Sequence, residues 1–277
     1  MNLIDITRPP LPLAVIMGAG GLAMAAARRV GETHRLLLVD RDSANLAAAA
    51  AALRSEGHQV DEALCDVTDR AQVAAMADQA RTIGNLRALV HVVGLSPSMA
   101  GGDRILEVNL AGPALVAEAL TPLVGPGFAG ILVASLAAHL APDVPEAAER
   151  ALDDPLGPDL AGRVVAALEK PLDPQMAYML SKRALLRLCQ RLAISWGALG
   201  GRAVSLSPGL IATPMGIMEF TGSPQKHALL ERTPLQRQGS MLEIADAIDF
   251  LISPRASFIS GVDLLVDGGI LAALRQG

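Results

Sequence analysis

Aromatic side chains are nearly missing from this chain. They make up 2% of its 277 residues, although 51% of the residues are hydrophobic. Such a core must be built from Ala, Val, Leu and Ile, which favours helices packed closely on a buried sheet over an aromatic-rich β-sandwich. Cysteine is scarce as well. Cys65 and Cys189 stand far apart, in no metal-type spacing, and read as two reduced, buried thiols. No run of Lys or Arg stands out and the net charge is −5, which argues against a nucleic-acid footprint. No uninterrupted apolar run approaches the roughly 18 residues of a membrane span. The opening "MNLIDITRPPLPLAVIMG" puts prolines where a signal peptide needs its apolar stretch. No targeting segment is read, and a cytoplasmic protein is expected.

What is present is an alternation. "LAVIM" (13–17), "RLLLVD" (35–40), "QVDEALC" (59–65), "RALVHVV" (87–93), "GILVAS" (130–135), "GRAVSLS" (201–207) and "VDLLVD" (262–267) read as strands. Most are near-continuous apolar runs, as strands covered on both faces require. Alanine-rich stretches of helical composition lie between them, several opening on Asp or Ser and closing on Gly. The expectation is an α/β chain, residues 1–277 as a single domain, with a doubly wound Rossmann-type parallel sheet of about seven strands. Two segments break the rhythm: 136–175, with short helical stretches at 145–152 and 159–169 and Asp159 placed to cap the second, and 214–240, which holds "MGIMEF". Loops this long serve a site or are surface excursions.

Gly18-x-Gly20-x-x-Ala23 follows the first strand and opens a helix. In a dinucleotide site the first glycine permits the turn, the second admits the pyrophosphate, and the small third residue lets helix pack on strand. Gly21 and Leu22, at the helix start, fall where free N–H groups and the positive end of the helix dipole meet an anion. Asp40 closes the second strand, 20 positions after Gly20. A carboxylate there accepts from the adenosine ribose hydroxyls and repels a 2′-phosphate, which favours NAD. Arg41 follows and would suit a 2′-phosphate, so NADP is the second choice.

"AYMLSK" (177–182) sets Tyr178 and Lys182 one helical turn apart on one face. A tyrosine hydroxyl, with a reference pKa of about 10, yields its proton reluctantly, and a neighbouring cation favours the phenolate. The pair alone fits either proton transfer or a solvated surface.

Taken together, the motifs identify the chain as resembling the short-chain dehydrogenase/reductase family over nearly its whole length. "CDVTD" carries the family's Asp-Val pair as Asp66 and Val67, "EVNLAG" its asparagine as Asn109, and "ILVAS" its serine as Ser135. "LSPGLIAT" matches the segment that holds the nicotinamide carboxamide, giving Pro208, Gly209, Ile211 and Thr213. The resemblance implies an NAD(H)-dependent alcohol dehydrogenase or ketone reductase without a metal. Tyr178 is its acid/base, Lys182 lowers the phenol pKa and holds the nicotinamide ribose, Ser135 bonds the reacting oxygen, and Asn109 binds a water for proton relay. Asp66 is expected at the adenine edge. A homotetramer or dimer is also implied, with the helix of Tyr178 and the C-terminal "VDGGILAALRQG" as subunit contacts.

Departures from the family are specific. The glycine turn is one residue shorter and ends in Ala23. "HVVG" (91–94) replaces Asn-Asn-Ala-Gly, leaving Val93 and Gly94 to line the cofactor. His91 reads as a second acid/base group or as a structural strand end, the latter being expected; His139 is expected to be an ordinary loop histidine. Ser135 and Tyr178 lie 43 positions apart, far beyond the family's usual interval, so 136–175 must loop out and return. It reads either as a helical flap over the substrate mouth or as an outer decoration or subunit contact. Met215, Ile217, Met218 and Phe220 would give the facing loop an apolar lining, hence a fairly hydrophobic substrate. Two rivals remain: a dinucleotide-sensing binding protein, and an enoyl reductase, whose family relatives space tyrosine and lysine more widely.

Overall fold

The computed structural model describes residues 11–213 and 224–276. Every apolar run named above becomes a strand: β1 (Leu13–Met17), β2 (Arg35–Asp40), β3 (Val60–Leu64), β4 (Leu86–His91), β5 (Ala129–Val133), β6 (Arg202–Pro208) and β7 (Asp263–Val266). They form one sheet in the order β3-β2-β1-β4-β5-β6-β7, and every pair is parallel. The helices are α1 (Gly21–Val30), α2 (Ser43–Ser55), α3 (Arg70–Ile83), α4 (Gly102–Leu106), α5 (Gly112–Leu120), α6 (Glu146–Asp153), α7 (Leu160–Leu168), α8 (Pro174–Gly197), α9 (Pro224–Glu231), α10 (Met241–Ile252) and α11 (Ile270–Gln276). Among the described residues no helix is long and apolar enough to cross a membrane.

Strand alternation builds two cores. Val15, Leu37, Leu89 and Leu132 face one side, where Val73 of α3, Leu115 of α5 and Leu185 of α8 meet them. Ile16, Leu38, Val90 and Ile131 face the other, against Ala26 of α1, Leu46 of α2 and Ile248 of α10. Side-chain caps fix several helix starts. Asp42 accepts from Ala44 N and Asn45 N, Asp69 from Ala71 N and Gln72 N, and Ser240 with Glu243 closes a capping box.

α8, which carries Tyr178, has its start fixed locally. Asp173 accepts from Met176 N, and Pro174 sits in the first turn, where its missing N–H costs nothing. The 136–175 insertion is docked on this helix. Its α6 and α7 match the two expected helical stretches, with Asp159 capping α7 through Gly162 N. Arg183, Arg187 and Arg191, successive on one face of α8, pair with Glu149 and Asp153 of α6. Part of the α8 face expected to meet another subunit is therefore taken by the chain's own insertion.

At the far end of α8, Trp196 is fully buried, edge-on to Phe128 at 5.2 Å, with Nε1 donating to Thr121 Oγ1 at 2.9 Å. Its ring packs on β5 at Gly130, where an added Cβ would come within 2.3 Å of the indole. Gly130→Ala should therefore destabilise the chain by about 1–3 kcal/mol, through overpacking against a ring that has nowhere to move. Urea unfolding midpoints would show it.

Candidate active site

Strand order reverses between β1 and β4, and the loops leaving their C-terminal ends flank a crevice. At the β1 end the backbone turns at Gly18, whose φ of +109° suits glycine, and Ala23 packs beneath it. Gly20 then opens α1 without any side-chain cap, and a Cβ placed there would meet nothing within 4 Å. The helix start, with Gly21 and Leu22, is thus open to an anion. Asp40 ends β2 beside this turn. One carboxylate oxygen accepts from Ala19 N at 2.8 Å, the other from Asp42 N at 2.9 Å, so the acid is pinned to the glycine loop. Arg41 is exposed next to it. Together the open helix start, glycine turn and anchored carboxylate fit a dinucleotide.

Asp66, expected at the adenine edge, is held in place by its own neighbours. Its Oδ1 accepts from Thr68 N and Oγ1, and Oδ2 from Arg104 Nη2 at 3.0 Å. Burial works against its charge, but the Thr68 bonds and the Arg104 guanidinium outweigh it and hold the carboxyl below its ordinary value. Val67 is buried and packs on Gly112, where a Cβ would meet its Cγ2 at 2.7 Å. Val93, on the β4 side, touches the space in front of Gly18.

Asn109, Lys182 and Gly94 converge beyond β4. α4 does not run straight into α5. A π-turn at Glu107–Ala111 intervenes, with Gly112 N donating to Glu107 O, and it carries Asn109 inward with no solvent exposure. Asn109 Oδ1 accepts from Leu95 N at 2.7 Å and Nδ2 donates to Leu95 O at 2.9 Å, bracketing the loop after β4. A Cβ on Gly94 would lie 3.4 Å from both Asn109 Oδ1 and Lys182 Nζ, so glycine keeps this space. Lys182 Nζ donates to Val133 O, the last residue of β5, at 2.9 Å, and lies 5.9 Å from the centre of the Tyr178 ring. Lys182 is 4% exposed, and burial pushes its ammonium down to about 8. Tyr178 is half-buried, one turn earlier on α8.

Ser135, two residues beyond β5, accepts from Ala137 N at 3.1 Å and so caps the short turn Leu136–Leu140. Its own O–H is left to donate elsewhere. His139 is more than a loop histidine: its Nε2 lies 2.7 Å from Asp263 Oδ2, pinning that turn to β7. Burial pushes the Cys65 and Cys189 thiols up to about 11 and about 12, so neither is a nucleophile near neutral pH.

The segment Pro208–Thr213 runs from the end of β6. Gly209 is required there, since a Cβ would lie 2.6 Å from Asp267 Cα. Ile211 bridges Gly239, and Ala212 N and Thr213 N donate to Gly239 O and Ile211 O. Met215, Ile217, Met218 and Phe220 lie outside the described residues. Sequence reasoning missed the Leu95 bracket, the role of Arg104 and the α6–α8 ion pairs. Only the charges of the last, regularly spaced along α8, offered a signal.

Two family models match: one described as short chain dehydrogenase over residues 12–142, another as Enoyl-(Acyl carrier protein) reductase over 164–271. A short-chain dehydrogenase/reductase of Alternaria brassicicola is 36% identical, across 95% of this chain and 96% of its own length. The chain belongs to the short-chain dehydrogenase/reductase family. A second relative, D-threitol dehydrogenase of Mycolicibacterium smegmatis, is 31% identical over 93% of this chain and 92% of its own. A solved short-chain type dehydrogenase/reductase of Mycobacterium ulcerans, 22% identical, shares the fold at a TM-score of 0.77, covering 95% of this chain and 92% of that one. As a short-chain dehydrogenase/reductase the chain is an oxidoreductase, of a family that works with nicotinamide dinucleotides.

Lys182 also makes folding depend on pH. Its folded pKa, about 8, lies below its ordinary 10.5. Between those values the unfolded chain binds the extra proton, so this residue's cost grows as pH falls and is complete below about 8. Lys182→Met should gain stability relative to the parent over that interval, by up to about 3 kcal/mol. Urea midpoints at pH 7 and 10 would test this.

Proposed function

We propose that the chain transfers hydride between NAD(H) and a fairly hydrophobic secondary alcohol or ketone, with Tyr178 as general acid/base. The observation carrying this reading is the buried Lys182 ammonium, 5.9 Å from the Tyr178 ring and anchored on Val133 O. A cation so placed favours the phenolate, bringing a reluctant acid towards a working range. Ser135, its oxygen engaged by Ala137 N, would aim its O–H at the substrate oxygen as charge develops there. Asn109, bracketed to Leu95, retains one amide hydrogen for a relay water. When bound, the nicotinamide dinucleotide supplies the carbon that accepts or gives hydride. Gly18, Gly20, Gly21 and Leu22 would hold its phosphates, Asp40 its adenosine ribose, and Asp66 and Val67 the adenine side. Val93, Gly94, Lys182, Pro208, Gly209, Ile211 and Thr213 would hold the nicotinamide half.

The apolar substrate class rests on Met215, Ile217, Met218 and Phe220. The name of one relative, D-threitol dehydrogenase, points instead to a polyol. Carbon–carbon double-bond reduction is the second reading, favoured by the description of the model over 164–271. A cytoplasmic homo-oligomer is part of the proposal; its contacts would use α8 beyond the insertion, where Ile194 is 78% exposed.

Tyr178→Phe should lower turnover by about 10²–10⁴-fold while dinucleotide binding persists. Nicotinamide absorbance against a panel of apolar ketones, polyols and enoyl thioesters, with dinucleotide binding followed by fluorescence, gives both quantities. Undiminished turnover would sink the assignment, and product analysis separates carbonyl from double-bond reduction. Asp40→Ser should narrow the preference for NADH over NADPH at least tenfold in kcat/KM, since it removes a carboxylate that repels a 2′-phosphate.

A further inference from the structure

The site contains a buried group that the proposed mechanism leaves unused. His91 closes β4, between Met17 of β1 and Leu132 of β5 in register. Leu89, two residues earlier, faces the core shared with α3, α5 and α8, so the imidazole points to that same side. This is the side from which Lys182 and Asn109 enter. His91 is 2% exposed, and among the described residues its Nε2 has no hydrogen-bond partner. Buried polar atoms of this kind are nearly always paired, directly or through ordered water.

The ring's electrostatics fix its form. Burial, with the Lys182 charge added, pushes the imidazole down to about 3, so it is neutral at working pH. A neutral imidazole carries one proton and one lone pair, and the buried, unpartnered Nε2 can be the one that offers the lone pair. β1 and β5, flanking the ring, carry no charged residue. From α8 the charged group bearing on it is Lys182, with Tyr178 the titratable group one turn away; Glu107 of the π-turn is paired with Arg104. The unpartnered Nε2 thus sits within the field of an ammonium whose hydrogen bond, among the described residues, goes to Val133 O. Gly94, lacking a side chain, leaves room beside Nζ and Asn109 Oδ1.

We propose that His91 is a positioning residue for Lys182: its Nε2 accepts a hydrogen bond, through one buried water, from the Nζ ammonium. A family asparagine is replaced at this position, and the imidazole reaches further into the interior than an asparagine amide. The bond favours the charged lysine and keeps it beside Tyr178, countering the burial that drives its proton off. The inference rests on Tyr178 and Lys182 being the acid/base pair.

Two measurements on the full chain without dinucleotide test it. With ¹⁵N-histidine, Nε2 of His91 should be unprotonated, and its resonance should move with the Lys182 midpoint near pH 8. In Lys182→Met that movement should vanish. A protonated Nε2, or a resonance indifferent to Lys182, overturns the proposal. Tyr178 is the chain's single tyrosine, so phenolate absorbance reports on it alone. His91→Phe should move the phenolate midpoint up by several tenths of a unit, and His91→Asn, which keeps an acceptor, should restore part of the shift. If Lys182→Met moves that midpoint and His91→Phe does not, His91 has no positioning role. If Lys182→Met leaves it unmoved, the acid/base reading fails, whatever the histidine resonance shows. Should His91→Phe not fold, the labelled parent decides.

Discussion

Keeping a lysine charged inside the protein is the constraint around which this site is arranged. Removing an ammonium from water is costly, and among the described residues its hydrogen-bond partner is one carbonyl, Val133 O. Everything near Lys182 limits that cost or uses the field it creates. β5 ends where it can offer the carbonyl, and Gly94, having no Cβ, lets the neighbouring loop pass close to Nζ without crowding it. Asn109 ties that loop to the π-turn through both atoms of its amide. α8 brings the ammonium in from a helix whose first turn is capped by Asp173 and whose outer face is strapped to the insertion by three arginines. A long cationic side chain delivered by a frayed helix would find water instead.

The fold was legible because its determinants are local. Seven apolar runs, each too short for a buried helix and separated by alanine-rich stretches, leave little choice but a parallel sheet covered on both faces. The capping aspartates 42, 69, 159 and 173 mark helix starts through short-range chemistry that a sequence displays directly. The glycine turn, Asp40 and the Tyr178–Lys182 pair were legible too, since each is a spacing.

What the sequence hid depends on which way a side chain points, and on partners distant along the chain. Nothing in "EVNLAG" announces a π-turn, because its extra residue is imposed by packing on both ends. Asp66 reads as an adenine ligand, and only the fold shows that Arg104, 38 positions on, also holds it. His139 looks idle until Asp263 is brought beside it, 124 positions away. His91 reads as a strand end, and is one; its unpaired nitrogen appears only when the ring is seen buried with Lys182. The insertion is the clearest case. Its two helices were evident, yet the attachment of α6 to α8 needed the arginine ladder in three dimensions.

The π-turn has a consequence for how tolerant this region is to change. A five-residue turn stores one residue more than the regular helix on either side of it. Shortening 107–111 by one would let an ordinary ladder close, at no loss of backbone bonds, while swinging the upstream half by about 100° around its axis. Asn109 would leave Leu95, and Ile105 would leave its packing, so a deletion that looks harmless on a helical wheel would dismantle the floor of the crevice.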